Sequence, residues 1–193
     1  MASLIKQQLY DKGLELIHEF CLINDLLIPD VIVIPSKQWK ISSTCAYYRN
    51  SAIVICLEKC SSIGTGGTSW SYPGYVVDRT PYGVLAHELG HHIDMFYSTV
   101  KNKYMGNNST NVRNASGEPK LTNYCPNDGE WFAEMMRLFI TNPNLLSILR
   151  PKTFNIIRQR LVPEITESWQ DVLENAPERT KNAVLNKIKQ ISK

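Results

Sequence analysis

The most constraining feature of this chain is the short run His87-Glu88-Leu89-Gly90-His91. Thr80 is a typical helix N-cap residue, and the proline that follows it suits the first helical position. The pattern therefore predicts a helix over residues 81 to about 97, with the run inside it. Because four residues advance an α-helix by about 400°, His87 and His91 project from one face, one turn apart. Two imidazoles in that arrangement can bind one metal ion.

Glu88 adds a catalytic group to this metal-binding pattern. It lies about 100° around the helix from His87, within reach of a water at the same metal, where a carboxylate can act as general base. Three of the chain's four histidines, His87, His91 and His92, fall in this one stretch, which makes chance occurrence a weak alternative. The motif is typical of zinc hydrolases, so the sequence predicts one catalytic Zn²⁺.

A catalytic zinc has three protein ligands, so a third ligand must come from outside this pair of histidines. One class of these enzymes has a third histidine ten residues after the first, but that position here is Tyr97. His92 points about 100° away from His91 and cannot easily share its metal. Both observations favour a carboxylate as the third ligand.

The best candidate carboxylates lie in a second predicted helix, which covers residues 130–140. Glu130 and Glu134 are one turn apart on one face of it. If this helix packs against the first, Glu130 can reach the metal while Glu134 hydrogen-bonds a ligand histidine from behind. Asp94, on the motif helix, is the competing carboxylate, and we expect it to support a ligand or to lie at the surface.

The two motifs together resemble a known family. The run from His87 to His91, followed by Glu130-Trp131-Phe132-Ala133-Glu134-Met135-Met136-Arg137-Leu138, resembles the catalytic domain of anthrax lethal factor and the related Pro-Pro endopeptidases. Pro151-Lys152-Thr153-Phe154 fits the same pattern, and the resemblance covers roughly residues 83–159. The stretch Asp78-Arg79-Thr80-Pro81 also resembles short metallopeptidase-like proteins of phage genomes.

This resemblance implies a single zincin-like metallopeptidase domain in which Glu130 is the third zinc ligand. It also implies a tyrosine that stabilises the transition state, at Tyr124, with Tyr104 as the alternative. The adjacent Cys125 is either a thiolate fourth ligand or, in the interpretation that we favour, a bystander thiol.

The rest of the chain predicts an α+β domain. Residues 1–80 would form an N-terminal helix and a small sheet, with strands near residues 31–34, 45–48 and 52–57. Residues 81–100 are the motif helix, 101–126 a long polar loop that could act as a lid or an inhibitory plug, and 127–193 a helical part with the third ligand. Extended peptides usually bind an edge strand beside such a cleft, and either residues 52–57 or the loop over 64–75 could provide it.

Composition limits the compartment and the partners. No run approaches the length of a membrane span, and the N-terminus lacks the features of a signal peptide. The net charge of +3 is too mild to indicate nucleic-acid binding, despite basic residues near the C-terminus. The number of cysteines is odd, which favours reduced thiols and a cytoplasm-like compartment. The five cysteines are Cys21, Cys45, Cys56, Cys60 and Cys125.

From these features we expect a zinc-dependent metalloendopeptidase that acts on a protein or peptide substrate, with Glu88 activating the attacking water. Two alternatives stay open. One is a zinc-dependent hydrolase of another amide or ester, and the other is a zincin-fold protein with a binding or regulatory role and no turnover.

Overall fold

The computed structural model describes residues 4–61, 78–99, 108–122 and 124–163. In this part of the chain, six helices and a three-stranded sheet form one domain, which confirms the predicted α+β class. In chain order the elements are α1 (Leu4–Ile23), β1 (Asp30–Val33), β2 (Ala46–Arg49), β3 (Ala52–Ile55), α2 (Pro81–Thr99), α3 (Asn108–Ser116), α4 (Asp128–Thr141), α5 (Pro143–Leu149) and α6 (Pro151–Arg158).

The sheet has the strand order β1-β3-β2. β1 pairs parallel to β3, and β2 pairs antiparallel to it with Arg49 opposite Ala52. Asn50 and Ser51 connect the two strands with φ angles of 51° and 63°, which is the signature of a tight two-residue turn. All four residues of β3 are buried. The prediction that residues 52–57 provide an edge is therefore wrong, because β3 is paired on both sides.

The core lies between α2 and its two helical neighbours. Of all pairs of described elements, α2 and α4 pack most extensively against each other. α2 also contacts α1. Large apolar side chains fill these interfaces and are fully buried, so their removal from water contributes most of the stabilisation. They include Phe20, Leu85, Leu89, Ile93, Trp131, Phe132 and Phe139. α2 is thus held on more than one side, which fixes the direction of its histidine face.

The prediction of a long polar loop over residues 101–126 is wrong for α3. The Asp94 carboxylate accepts a hydrogen bond from the Ser109 amide at 2.9 Å, and the Asn108 side chain donates to the Ile93 carbonyl at 3.0 Å. Val112 is buried. This polar segment folds as a helix because groups distant in sequence satisfy its first turn.

Several predictions fall on other parts of the chain. The loop over 64–75, Tyr104 and the basic residues beyond 163 lie outside the described residues. The described part of 101–126 includes a helix, and a lid or plug role for the segment stays a prediction. Among the described residues, no helix is both long enough and apolar enough to cross a membrane.

Candidate metal centre

The start of α2 is held by two polar side chains. The Thr80 hydroxyl accepts a hydrogen bond from the Gly83 amide at 3.3 Å, as predicted for an N-cap residue. The Asp78 carboxylate in turn accepts a hydrogen bond from the Thr80 amide at 2.9 Å. With the first turn held in this way, His87 and His91 follow on the face of α2 that is turned toward α4.

α4 carries the carboxylates, and its own cap places them. The Asn127 side chain accepts a hydrogen bond from the Glu130 amide at 2.9 Å, so Glu130 lies in the first turn of the helix. α4 approaches α2 closely at Gly90, where a Cβ atom would lie 2.8 Å from the Cα of Ala133. This approach brings Glu130 and Glu134 against the histidine face.

The three predicted ligands meet at one point. His87 Nε2 lies 3.1 Å from Glu130 Oε2, and His91 Nε2 lies 3.4 Å from the same oxygen. One donor atom from each of the three residues lies within 4.8 Å of the other two. The cluster could therefore hold a metal ion.

Glu134 lies behind the cluster, as predicted. It is fully buried, and its Oε1 lies 2.8 Å from Nδ1 of His87. A carboxylate oxygen only accepts, so His87 Nδ1 carries the hydrogen and Nε2 is left to face Glu130.

The cluster is electrostatically suited to a cation. Burial alone would lower the pKa of His87, but hydrogen bonds to Glu130 and Glu134 outweigh it and raise this pKa to about 10. Burial alone would raise the pKa of Glu130, but hydrogen bonds with His87 and His91 outweigh it and lower this pKa to about 2. The two carboxylates thus stabilise positive charge among them, whether a proton or a metal ion carries it.

Glu88 faces the same space from the next position on α2. It is almost wholly buried, and this burial raises its pKa, although the charges of His87 and His91 and the backbone amide of Tyr48 lower it. A carboxylate with a raised pKa is a stronger base than an ordinary glutamate, which suits proton transfer beside a cation site.

Tyr124 is also at the site. Its ring centroid lies 6.1 Å from that of His87, and its side chain is 45% exposed. Burial and the charge of Glu130 raise the pKa of Tyr124, so its hydroxyl keeps its proton at neutral pH. Cys125 next to it is half-buried with a pKa raised by burial, which agrees with the bystander interpretation, and it is not part of the metal cluster.

One cleft of about 570 Å³ is lined by His87, Glu88, His91, Tyr124 and Glu130. Its other walls include residues 43–48, which lead into and form most of β2, together with Arg79 and Met95. The edge strand at this cleft is therefore β2, which has a strand partner on one side only within the described sheet.

Asp94 is not brought into the metal cluster. Its carboxylate instead accepts the Ser109 amide at the start of α3, as described above. Among the described residues, the cluster that could hold a metal ion therefore includes Glu130 and not Asp94.

His92 has a structural role. Its Nε2 lies 3.0 Å from the Leu27 carbonyl and so must donate, which leaves Nδ1 to accept from the Tyr48 hydroxyl at 2.9 Å. The ring therefore ties α2 to β2, and it points away from the metal cluster as predicted.

Arg137 was missed by the sequence reasoning. Its Nε and Nη2 donate to the two oxygens of Glu134 at 2.9 and 3.0 Å, and it is 2% exposed. The spacing of three residues between an acidic and a basic side chain on one helix could have indicated the pair, but not that it is buried.

Comparison with family models, with curated proteins and with solved structures finds no match to this chain.

Proposed function

We propose that the chain is a zinc-dependent metalloendopeptidase with a zincin-like domain. In this proposal His87, His91 and Glu130 bind one catalytic Zn²⁺, Glu88 is the general base, and Tyr124 assists at the transition state. The observation that carries it is the convergence of two imidazole nitrogens and one carboxylate oxygen beside a buried glutamate, in a cleft bordered by a strand.

The donor set and its dimensions support zinc. Two ligand atoms that each lie about 2.0–2.1 Å from a tetrahedral ion are about 3.3 Å apart. The distances from Glu130 Oε2 to the two imidazole nitrogens are 3.1 and 3.4 Å. Mixed nitrogen and oxygen donors suit zinc, whereas magnesium and calcium prefer oxygen donors alone. Two neutral histidines and one carboxylate are one of the ligand sets that hydrolytic zinc sites use.

The residues around the candidate metal site would have different catalytic roles. When bound, the zinc supplies a Lewis acid and lowers the pKa of a water molecule to about 7. Glu88 accepts the proton of the attacking water and later delivers it to the leaving amine, which its raised pKa favours. The Tyr124 hydroxyl, protonated at neutral pH, donates a hydrogen bond to the developing oxyanion.

The cleft supports a peptide as substrate. β2 runs along one wall and has a strand partner on one side only within the described sheet, so an extended chain can add to that sheet as a further strand. A hydrolase of another small amide or ester would use the same chemistry without needing this strand. A binding protein without turnover would have no use for the buried Glu88, because burying a carboxyl group without a role is costly.

The test is hydrolysis of a mixed peptide library by the zinc-loaded protein, with products identified by mass spectrometry. We expect Glu88→Gln to retain zinc and to lower the rate by about 10²- to 10⁴-fold, because it removes the general base. Glu15→Gln, which changes an exposed glutamate of α1, is the matched control and should cleave like the parent. Equal cleavage by Glu88→Gln and the parent would contradict the proposal.

A further inference from the structure

Behind the metal cluster lies a buried ion pair that ligand binding alone does not require. Arg137 is 2% exposed and Glu134 is fully buried. The guanidinium binds the carboxylate through two hydrogen bonds, from Nε to Oε1 at 2.9 Å and from Nη2 to Oε2 at 3.0 Å. Such a two-point contact fixes the plane of the carboxylate as well as its position.

Stability does not explain this pair. Taking two charges out of water costs several kcal/mol per ion, and apolar residues of similar volume often stabilise a core equally well or better. The surrounding face of α4 is apolar and could accommodate such residues, since Trp131, Met135 and Leu138 are all buried. A buried pair in this setting suggests a role in specifying geometry.

The geometry that it specifies is that of His87. Glu134 Oε1 accepts from Arg137 Nε at 2.9 Å and lies 2.8 Å from His87 Nδ1. Because the oxygen is held by the guanidinium, the imidazole that donates to it is held in one orientation and one tautomer. His87 Nε2 is then directed at Glu130, from which it is 3.1 Å away.

Asp78 is a second acidic residue that interacts with the charge of Arg137. The charge of Arg137 acts on the buried Asp78 carboxyl, which accepts the Thr80 amide at the start of α2. Arg137 on α4 therefore faces two acidic groups, one that holds a metal ligand and one that holds the first turn of the helix carrying that ligand.

We propose that Arg137 is a positioning residue of the metal centre: it acts through Glu134 to hold His87 in the orientation and tautomer that bind the metal. This inference rests on metal binding by the cluster in the proposed function, and not on the choice of substrate. If the inference is right, a change at Arg137 affects metal affinity only when Glu134 is present.

The experiment is a double-mutant cycle read out as zinc affinity, measured by competition with a chromophoric chelator. The variants are Arg137→Met, Glu134→Gln and the double variant, each also measured for its free energy of unfolding. We expect each single change to weaken zinc binding about 10- to 100-fold. The double variant should bind no more weakly than Glu134→Gln alone, because Arg137 then has no carboxylate to position.

Two further variants separate positioning from general stability. Arg150 donates to the carbonyls of Pro119 and Lys120 at 2.8 and 2.7 Å, so Arg150→Met should lower stability and leave zinc affinity unchanged. Arg137→Lys keeps the charge but loses the two-point contact, so we expect zinc affinity between those of Arg137→Met and the parent. If Arg137→Met does not fold, Arg137→Lys decides the question.

Parent-like zinc affinity in Arg137→Met or in Arg137→Lys would overturn the inference. Additive losses in the double variant would also overturn it, because they would show that Arg137 acts independently of Glu134. A parent that binds no zinc would overturn both this inference and the proposed function. A parent that binds zinc but hydrolyses no peptide would overturn the proposed function alone, and the cycle would still test Arg137.

Discussion

The chemistry of this site depends on which atom of each side chain holds a proton. Glu134 places a hydrogen on Nδ1 of His87, and thereby leaves Nε2 for a metal. Burial raises the pKa of Glu88, and burial with the charge of Glu130 raises that of Tyr124. The protonation of each of these groups is thus set by its burial or by a neighbouring charge.

The role proposed for the Tyr124 hydroxyl can be tested by removing it. We expect Tyr124→Phe to lower kcat by about 10²- to 10³-fold with little change in KM, because the lost hydroxyl would interact with charge that develops only in the transition state. Steady-state kinetics on a peptide from the library screen measures both constants, and zinc content should be unchanged. A variant with parent-like kcat would show that Tyr124 does not stabilise the transition state, and Tyr104 would then be the alternative.

The residue types in the ligand set could be read from the sequence, but their supporting contacts could not. The spacing of His87 and His91 determines a shared face, because helix geometry is local. Glu130 required the additional assumption that a second helix packs on the first. Arg137 was missed because nothing in a sequence tells whether a charged side chain on a helix faces solvent or the interior.

The site is built where two helices, α2 and α4, approach each other. Gly90 allows this approach, since a Cβ there would lie 2.8 Å from Ala133 Cα and 3.0 Å from Met136 Cβ. Glycine in the middle of a helix is otherwise unfavourable by about 1 kcal/mol. The position of Gly90 between His87 and His91 therefore has a packing reason.

We expect Gly90→Ala to destabilise the protein by about 1–2 kcal/mol, because the strain of overpacking exceeds the gain in helix propensity. It should also weaken zinc binding by moving Glu130 away from the histidines. Gly129→Ala is the matched control, since a Cβ there would have its nearest neighbour at an ordinary 3.4 Å. Denaturant unfolding and chelator competition measure the two effects. A Gly90→Ala protein as stable as Gly129→Ala would show that the helices tolerate separation.

Local signals predicted some elements and failed for others. The Thr80 cap defined the start of α2, and Asn142 followed by Pro143 defined the end of α4. α3 was missed because its sequence is polar and its start is held by tertiary hydrogen bonds that a local pattern does not include. Asp94 accepts the Ser109 amide, and the Ile93 carbonyl accepts from the Asn108 side chain. A helix that depends on such tertiary hydrogen bonds cannot be identified from its own composition.

At the scale of the whole molecule, the order of the strands decides which strand forms the edge beside the cleft. β3 has the most apolar sequence and therefore lies in the centre, which leaves β2 beside the cleft. The sequence indicated three strands but not their order, because pairing between distant segments is not encoded in local periodicity. The prediction that residues 52–57 provide the edge was wrong for this reason.

The free energy of unfolding should depend on pH because of the buried Asp78 carboxyl group. Burial raises the pKa of this carboxyl from 3.8 to about 6 in the folded protein, against the opposing charge of Arg137. Because the folded state then binds a proton more tightly than the unfolded chain, its contribution to stability is present below about pH 3.8 and is lost as the pH rises through about 6.

We therefore expect the parent to lose about 1 kcal/mol of unfolding free energy between pH 5 and pH 7.5 relative to Asp78→Asn, which has no carboxyl to ionise. Denaturant unfolding of both proteins at the two pH values measures this difference. The opposite sign would mean that attraction to Arg137 dominates over burial.

Metal analysis of the purified protein tests whether His87, His91 and Glu130 together bind zinc. We expect about one zinc per chain in the parent, and its loss in Glu130→Ala, because a catalytic site needs all three ligands. Asp94→Ala should retain the metal, since Asp94 holds the start of α3. A parent without zinc after zinc is supplied, or a loss of zinc in Asp94→Ala but not in Glu130→Ala, would contradict the account.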